Sequence, residues 1–177
     1  LYQLNGSVEF DEGYFEQACS EKTILKRGRG SQKRSNVAVM AESTPLEDME
    51  TGVESSQCRY FKMKVLETHQ KSEINEVVIE YINEKSVIFS DKSTSYVDLS
   101  ELVDAHIMKK SDKDVTKTTL KWVHVAISNA KRNLLGVYHM IKGKYLQAYL
   151  DEFCYKLNRR YFGEKLFDRL VIATISN

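Results

Sequence analysis

The order of strand-like and helix-like segments constrains the fold more than any other feature of the chain. Three segments with strand patterning come first, at residues 7–15, 36–43 and 59–68. Too few residues separate them for every connection to hold a crossover helix, so we expect a meander. Residues 72–82 then change to helical spacing, and a buried strand is predicted at residues 85–91. This order permits a parallel crossover to the fourth strand.

The second half of the chain is mostly helical. Its predicted elements are a short helix, an edge strand and three amphipathic helices, at residues 95–105, 106–110, 118 or 119 onward, 143–160 and 164–176. The whole order predicts an α/β architecture, with helices packed on a mixed five-stranded sheet and extra helices at the C-terminus.

Three local signals suggest where elements begin or end. The acidic stretch between the second and third strands contains Pro45 and Gly52 and is interpreted as a turn. Ser72 is predicted to be the N-cap of the first helix, and Thr118 or Thr119 is predicted to open the helix that follows the edge strand.

Composition excludes several classes of protein. With 177 residues, 42% hydrophobic and 29% charged, the chain suits one globular domain over residues 1–177. No apolar run reaches the roughly 18–20 residues of a membrane span. The start has no signal-peptide pattern, and because it also lacks an initiator methionine, we expect a fragment of a longer protein. Cys19, Cys58 and Cys154 lie far apart without a C-x-x-C pair, which argues against a zinc ribbon or disulfides and favours a reduced, cytoplasmic setting.

Charge is distributed unevenly, although the net charge is only +1. Lys and Arg residues occur from Lys22 to Arg34 without an acid, in the segment "KRGRGSQKR". A charge run is most often a solvated face. Arginines that alternate with glycines also let both backbone and guanidinium approach a phosphate chain, so this segment is a candidate nucleic-acid contact.

Three candidate site residues lie where this fold can bring them together. Asp11 is at the end of the first strand and Asp91 at the end of the fourth, and His124 lies on a later helix. If the two strands are neighbours, the aspartates project side by side, and a divalent cation would relieve their repulsion. Each residue also has an ordinary interpretation: a surface strand residue, an Asx turn, or a core histidine.

The helix around "WVHVAISNAKR" presents two faces. His124 and Lys131 are seven residues apart, nearly two full turns, and therefore point the same way. The neighbouring stripe is apolar and supplies the better core candidates, namely Val123, Ile127, Ala130 and Leu134. The helix can thus bury one stripe and still present His124 to a site.

The chain resembles the catalytic domain of bacterial insertion-sequence transposases, in the RNase H-like DDE superfamily. The residues that carry the resemblance are "VEFDEGYF", "RGRGSQKRSNVAVMAE", "SDKSTSY" and "NAKRNLLGVYHMIKGKYLQAYLDEFCYKLNRR". The last block, with "GVYH" and "YLDEF…NRR", is the most specific. The resemblance covers nearly the whole chain and implies an RNase H-like fold.

The resemblance also assigns the site. It places the first acid at Asp11 and the second at Asp91, and the seven-residue step back from Lys131 places the third group at His124. The third position is therefore histidine where the superfamily has an acid, giving an Asp-Asp-His variant. Asn129 and Glu152 are the rivals for that position. A neutral imidazole suits Mn²⁺ and other transition metals better than Mg²⁺.

The implied function is DNA transposition, with two Mg²⁺ or Mn²⁺ ions, DNA ends and target as partners, nucleoid association, and a homodimer or larger assembly. Recognition of the end sequence is expected to lie in an N-terminal region absent from these residues. Candidate DNA contacts are Lys26, Arg27, Arg29, Lys33, Arg34, Lys131 and Arg132. The alternatives are an inactive DNA-binding remnant and a structure-specific nuclease.

Overall fold

A computed structural model describes residues 2–17, 34–47, 54–68, 70–91, 94–109, 119–138 and 141–175. Within these ranges the strands are β1 (Ser7–Glu16), β2 (Arg34–Glu47), β3 (Glu54–Leu66), β4 (Val87–Asp91) and β5 (Ala105–Lys109). The α-helices are α1 (Lys71–Tyr81), α2 (Lys121–Tyr138), α3 (Gly143–Asn158) and α4 (Lys165–Ile175), and 3₁₀ helices cover Thr94–Glu101 and Arg160–Phe162.

The strands form one mixed sheet in the order β3-β2-β1-β4-β5. The first three are antiparallel neighbours, which confirms the meander. Strand β4 pairs parallel with β1, and β5 pairs parallel with β4 at the edge of the sheet. The crossover through α1 therefore exists, and the predicted α/β fold with an RNase H-like mixed sheet is confirmed.

The sheet separates two hydrophobic cores because successive strand residues point to opposite faces. On β1, Val8 and Phe10 are buried on the side of α1, whereas Phe15 is buried on the side of α2 and α3. The predicted apolar stripe of α2, from Val123 to Leu134, is buried in that second core. Asp11 is four residues before Phe15 on β1 and so points to the same face of the sheet, toward α2.

The structure corrects the turn that was predicted at Pro45. This residue lies within β2, opposite Ser56 of β3, and β2 continues to Glu47. The pairing of β2 with β1 ends at Ser43, so beyond that point β2 has β3 as its partner on one side. Proline, which has no N–H to donate, is tolerated at such an edge. Gly52 lies outside the described residues.

The predicted helix starts are also corrected. Helix α1 begins at Lys71, so Ser72 is inside its first turn, and the carboxylate of Glu73 instead accepts hydrogen bonds from the preceding segment at Thr68. Helix α2 begins at Lys121, and the hydroxyl of Thr119 accepts a hydrogen bond from Lys109. Thr118 is outside the described residues.

Candidate active site

Asp11 and Asp91 lie side by side on neighbouring parallel strands. The register pairs Glu9 with Phe89, an offset of 80 positions (89 − 9), and the same offset separates Asp11 from Asp91 (91 − 11). Asp91 also shares the side of Phe89, which packs on the core beneath α2. Strand β4 ends at Asp91, but β1 continues to Glu16, so the expectation that Asp11 ends its strand is wrong.

Burial makes Asp11 hard to ionise. It raises the pKa of Asp11 to about 6, against a partial offset from the Glu12 backbone N–H, which donates to Oδ1 at 2.8 Å. Repulsion from Asp91 and Glu12 adds to the rise in pKa. The carboxyl is therefore in an environment that favours a proton or a cation.

Asp91 has a carboxylate oxygen that accepts no hydrogen bond from the described residues. Its Oδ1 atom is buried and has no hydrogen-bond partner among the described residues. Burial raises the pKa of Asp91, and repulsion from Glu12 adds to the rise, whereas His124 opposes it. A buried acceptor without a donor is costly, which makes this oxygen a candidate ligand atom.

His124 reaches the two aspartates from α2. Its Nε2 lies 3.7 Å from Oδ2 of Asp11, which is longer than a hydrogen bond. Burial lowers the pKa of His124, and the attraction of Asp91 opposes this. At neutral pH the contact is therefore between a neutral imidazole and a carboxyl group, not a charged ion pair.

Glu12 is a third acid beside Asp11 and Asp91, on the opposite face of β1. Its Oε1 accepts a hydrogen bond from the buried hydroxyl of Tyr96 at 2.9 Å, and its Oε2 accepts one from the amide of Asn36. Burial raises the pKa of Tyr96, and Glu12, Asp11 and Asp91 raise it further. Tyr96 therefore remains a hydrogen-bond donor, and Glu12 is held in place.

Next to Asp91, the buried Ser90 and the half-buried His106 hold the end of β4. The hydroxyl of Ser90 donates to the carbonyl of Asp91 at 3.0 Å, so Nε2 of His106, 2.7 Å away, donates to that hydroxyl. This leaves Nδ1 of His106 without a hydrogen-bond partner in the described part of the chain. Burial lowers the pKa of His106, in keeping with a neutral ring.

Helix α2 lies along β1 through a series of close contacts. Near its start, the carboxylate of Glu9 accepts hydrogen bonds from α2, and further along, Gly13 lies against Ile127. A Cβ atom at Gly13 would be 3.2 Å from Cγ1 of Ile127, so glycine lets the helix approach. His124 lies between these contacts. Glu9 was not predicted from the sequence as a functional residue; the available signal was its place on the inward side of a strand.

Lys131 lies further along the same contact. Its Nζ is 5.6 Å from the ring centre of Phe15, four residues beyond Asp11 on β1. The next residue, Arg132, donates to Oδ1 of Asn129 at 2.8 Å on its own helix. The seven-residue step therefore places Lys131 beyond the aspartates along the strand, on the side of the site.

Most of the remaining predicted DNA contacts lie outside the described residues. Arg34, at the start of β2, forms an exposed ion pair with Glu16 at 3.9 Å. The other four of the basic segment lie outside the described residues, namely Lys26, Arg27, Arg29 and Lys33.

The two rivals for the third position have other partners. Asn129 accepts the hydrogen bond from Arg132. Glu152 lies on α3, where it accepts hydrogen bonds from the Tyr138 hydroxyl at 3.3 Å and from Lys156. Of the three candidates, His124 is the one in contact with Asp11.

The carboxylate oxygens of Asp11 and Asp91 are the type of ligand atom that a divalent cation prefers. Two neighbouring carboxylates with raised pKa values and a buried oxygen without a donor match the preference of Mg²⁺ and Mn²⁺ for oxygen ligands. Among the described residues, no group of three or more His, Cys, Asp or Glu side chains is arranged to hold a metal ion. The described residues thus provide fitting donors without enclosing an ion by themselves.

The fold defines a class: an RNase H-like domain, in which a meander is followed by parallel strands and a helix packs over the first strand. The family model of the ISXO2-like transposase domain matches residues 3–158. The chain belongs to this family of insertion-sequence transposase domains. Its function is accordingly that of a transposase domain, and its partner is DNA.

One further comparison and one property of the helices complete this description. No curated protein matches the chain significantly. In the described part of the chain, no helix is both long and apolar enough to cross a lipid bilayer.

Proposed function

We propose that this domain cuts DNA at the ends of an insertion element and joins the freed strand to target DNA, in a reaction that depends on divalent metal. One observation carries the proposal: Asp11 and Asp91 are level on adjacent parallel strands, and His124 reaches Asp11 from α2. Family membership alone supports transposase function; this arrangement supports the chemistry.

The two aspartates would be the principal ligands. Each has a raised pKa in the metal-free chain, so binding a cation releases whatever proton remains and removes the repulsion between them. When bound, Mg²⁺ or Mn²⁺ supplies positive charge that favours attack on a phosphate. The described residues leave room in the ligand set for oxygens of the DNA phosphate.

His124 would complete the site as a neutral group. With imidazole in place of a carboxylate, the set carries two negative charges, so we expect it to favour Mn²⁺ over Mg²⁺. The alternative role leaves Nε2, which faces Asp11, unbound to the ion: a neutral ring there is instead able to accept a proton from an attacking hydroxyl. The lowered pKa of His124 keeps the ring neutral and therefore available for this role.

The basic residues would hold the DNA. Lys131, whose Nζ lies over the Phe15 ring, would attract a phosphate near the aspartates, and Arg34 would contact the DNA backbone. Each phosphate contact that is lost should reduce the slope of log affinity against log salt by about one unit.

The first test is calorimetric titration of Mn²⁺ and Mg²⁺ into the chain, with and without duplex DNA of an element end. Asp11→Asn and Asp91→Asn should each abolish binding, and His124→Ala should weaken Mn²⁺ more than Mg²⁺. Asp151→Asn is the matched control, since that exposed carboxylate bonds to Gln147 on α3 and should leave binding unchanged.

Strand cleavage and joining are then measured with labelled end DNA and a target duplex. We expect both products in Mn²⁺, and neither from Asp11→Asn. If no metal binds even with DNA present, the proposal is wrong and the domain binds DNA without chemistry. Cutting without joining would instead support a nuclease.

Transposition joins two element ends in one event. We therefore expect two or more copies of the chain to act together on DNA. Light scattering after size exclusion, with and without end DNA, measures this assembly directly. A single copy per DNA end at all concentrations would contradict it.

A further inference from the structure

Glu9 is a buried acid that bonds to the start of α2. It is 3% exposed, and its Oε2 accepts hydrogen bonds from the backbone N–H of Trp122 at 2.7 Å and of Val123 at 3.0 Å. These bonds connect residues more than 110 positions apart in the chain. They join the central strand of the sheet to the helix that carries His124.

The helix needs this contribution because its own sequence does not supply a cap. The first N–H groups of a helix have no partner within it, and a side-chain oxygen just before the helix usually accepts a hydrogen bond from the N–H of the second or third helical residue. Leu120 occupies that position in α2, and its apolar side chain is unable to accept. Glu9, on the strand that faces the helix, accepts hydrogen bonds from both of these N–H groups, those of Trp122 and Val123.

We propose that Glu9 is a positioning residue, which sets His124 against Asp11. Glu9 and Asp11 lie two residues apart on the same face of β1, and Val123 and His124 are consecutive on α2. The two contacts, Glu9 with Val123 and Asp11 with His124, therefore fix the helix along the strand at adjacent points. The inference deepens the proposed function and rests on it, since His124 matters only if it serves the metal site.

A separate tether keeps the helix on the sheet when Glu9 is changed. The indole N–H of Trp122 donates to the hydroxyl of Ser56 on β3 at 2.9 Å, and Val123 and Ala126 are buried in the core. Loss of Glu9 should thus shift the first turn of α2 and leave the domain folded.

A matched control comes from the second deeply buried acid of the sheet. Glu42 on β2 is also 3% exposed, and it accepts hydrogen bonds from the hydroxyl of Tyr2 and the N–H of Asn5, both at 2.8 Å. Neither partner belongs to α2. A general loss of stability from removing a buried carboxylate should therefore be similar in Glu42→Ala and Glu9→Ala.

The first experiment is Mn²⁺ calorimetry on the full chain with end DNA present. Each Glu9 variant is measured twice, once with His124 intact and once together with His124→Ala. Glu9→Ala should weaken binding by about tenfold, as loss of an outer partner of a ligand does. Glu9→Gln, which keeps an acceptor oxygen, should restore part of this, and Glu42→Ala should have no effect. In the His124→Ala background, Glu9→Ala should add nothing. An equal weakening in both backgrounds would overturn the proposal.

The second experiment needs no metal and keeps the two proposals distinguishable. In the unsubstituted chain, NMR should show a nuclear Overhauser contact between the His124 ring and Asp11, and slow hydrogen exchange at the Trp122 and Val123 amides. Glu9→Ala should remove both features, and Glu42→Ala should keep both. If Glu9→Ala keeps both the Overhauser contact and the slow amide exchange, the inference is wrong. If Glu9→Ala does not fold, Glu9→Gln is measured instead and should show a weaker Overhauser contact and faster amide exchange than the unsubstituted chain. Absence of Mn²⁺ binding by the unsubstituted chain would refute the proposed function instead.

Discussion

His124 differs from a carboxylate in charge more than in position. It contacts Asp11 from the helix, as a third acid would, but burial lowers the pKa of its ring and leaves it neutral. A third carboxylate at this point would add repulsion to two acids whose pKa values are already raised. The histidine therefore lowers the repulsion between negative charges in the metal-free site. Because it also removes one negative charge from the ligands, it weakens the attraction for a hard cation.

His124→Glu should reverse that balance. We expect tighter Mg²⁺ binding and a smaller preference for Mn²⁺, because the ligand set gains a negative charge. The metal-free variant should be less stable at neutral pH than the unsubstituted chain. Calorimetry with both ions and chemical denaturation without them measure these effects. Asn129→Glu adds the same charge to the same helix beside Arg132 and should not change the metal preference.

At the scale of elements, the site depends on how closely α2 lies on β1. Gly13 is a point of close approach, where an added Cβ would be 3.2 Å from Cγ1 of Ile127 on α2 and 3.1 Å from Cε2 of Phe15 on β1. Both distances are tighter than ordinary packing, and both neighbours belong to the core. Any side chain at position 13 must therefore move the helix or the phenyl ring, and Lys131 lies over that ring.

Gly13→Ala should destabilise the domain by about 1–3 kcal/mol, the usual effect of overpacking a core. Gly136→Ala is the control on α2 itself, because nothing lies within 4 Å of its added Cβ. In a helix interior that change should stabilise by about 0.5–1 kcal/mol. Urea denaturation of both variants measures the two free energies, and equal effects of the same sign would contradict the close approach.

At the scale of the whole molecule, the domain buries acids in its central strand. Burial raises the pKa of Glu9 from 4.5 to about 7, although the N–H groups of α2 oppose this, and it raises the pKa of Asp11 from 3.8 to about 6. In the folded state these groups keep protons that the unfolded chain has already released. Their contribution to stability is therefore full below about pH 4 and is lost as the pH rises through 6 and 7.

A double variant isolates this effect. His106 and His124 have lowered pKa values and contribute with the opposite sign, so the quantity to measure is the difference from Glu9→Gln/Asp11→Asn. Relative to that variant, the metal-free chain should lose free energy of unfolding, on the order of a few kcal/mol, between pH 4.5 and 7. Denaturation curves across this range provide the test, and a constant difference would show that the two carboxyls titrate normally.

Much of the fold follows from patterns that are local in the sequence. The alternation on β1, the buried stripe of α2 and the order of strands and helices each depend on neighbouring residues, and all three were predicted from the sequence. The pairing of the two aspartates was also predictable from the sequence. Once β1 and β4 are neighbours, the offset of 80 positions makes Asp11 and Asp91 level.

What only the tertiary structure decided depends on contacts between distant residues. Pro45 is predicted to be in a turn until β2 is seen to extend beyond β1, and Thr118 or Thr119 is predicted to open α2 until Glu9 is seen to bind the first turn of that helix. The burial that shifts the pKa of Asp11 is of the same kind. Periodicity reports which way a side chain points, whereas the partner it meets, and the water it loses, are fixed by elements packed from elsewhere in the chain. The sequence alone thus determined the elements and the residues of the candidate site, and the packing of α2 on β1 decided how those residues meet.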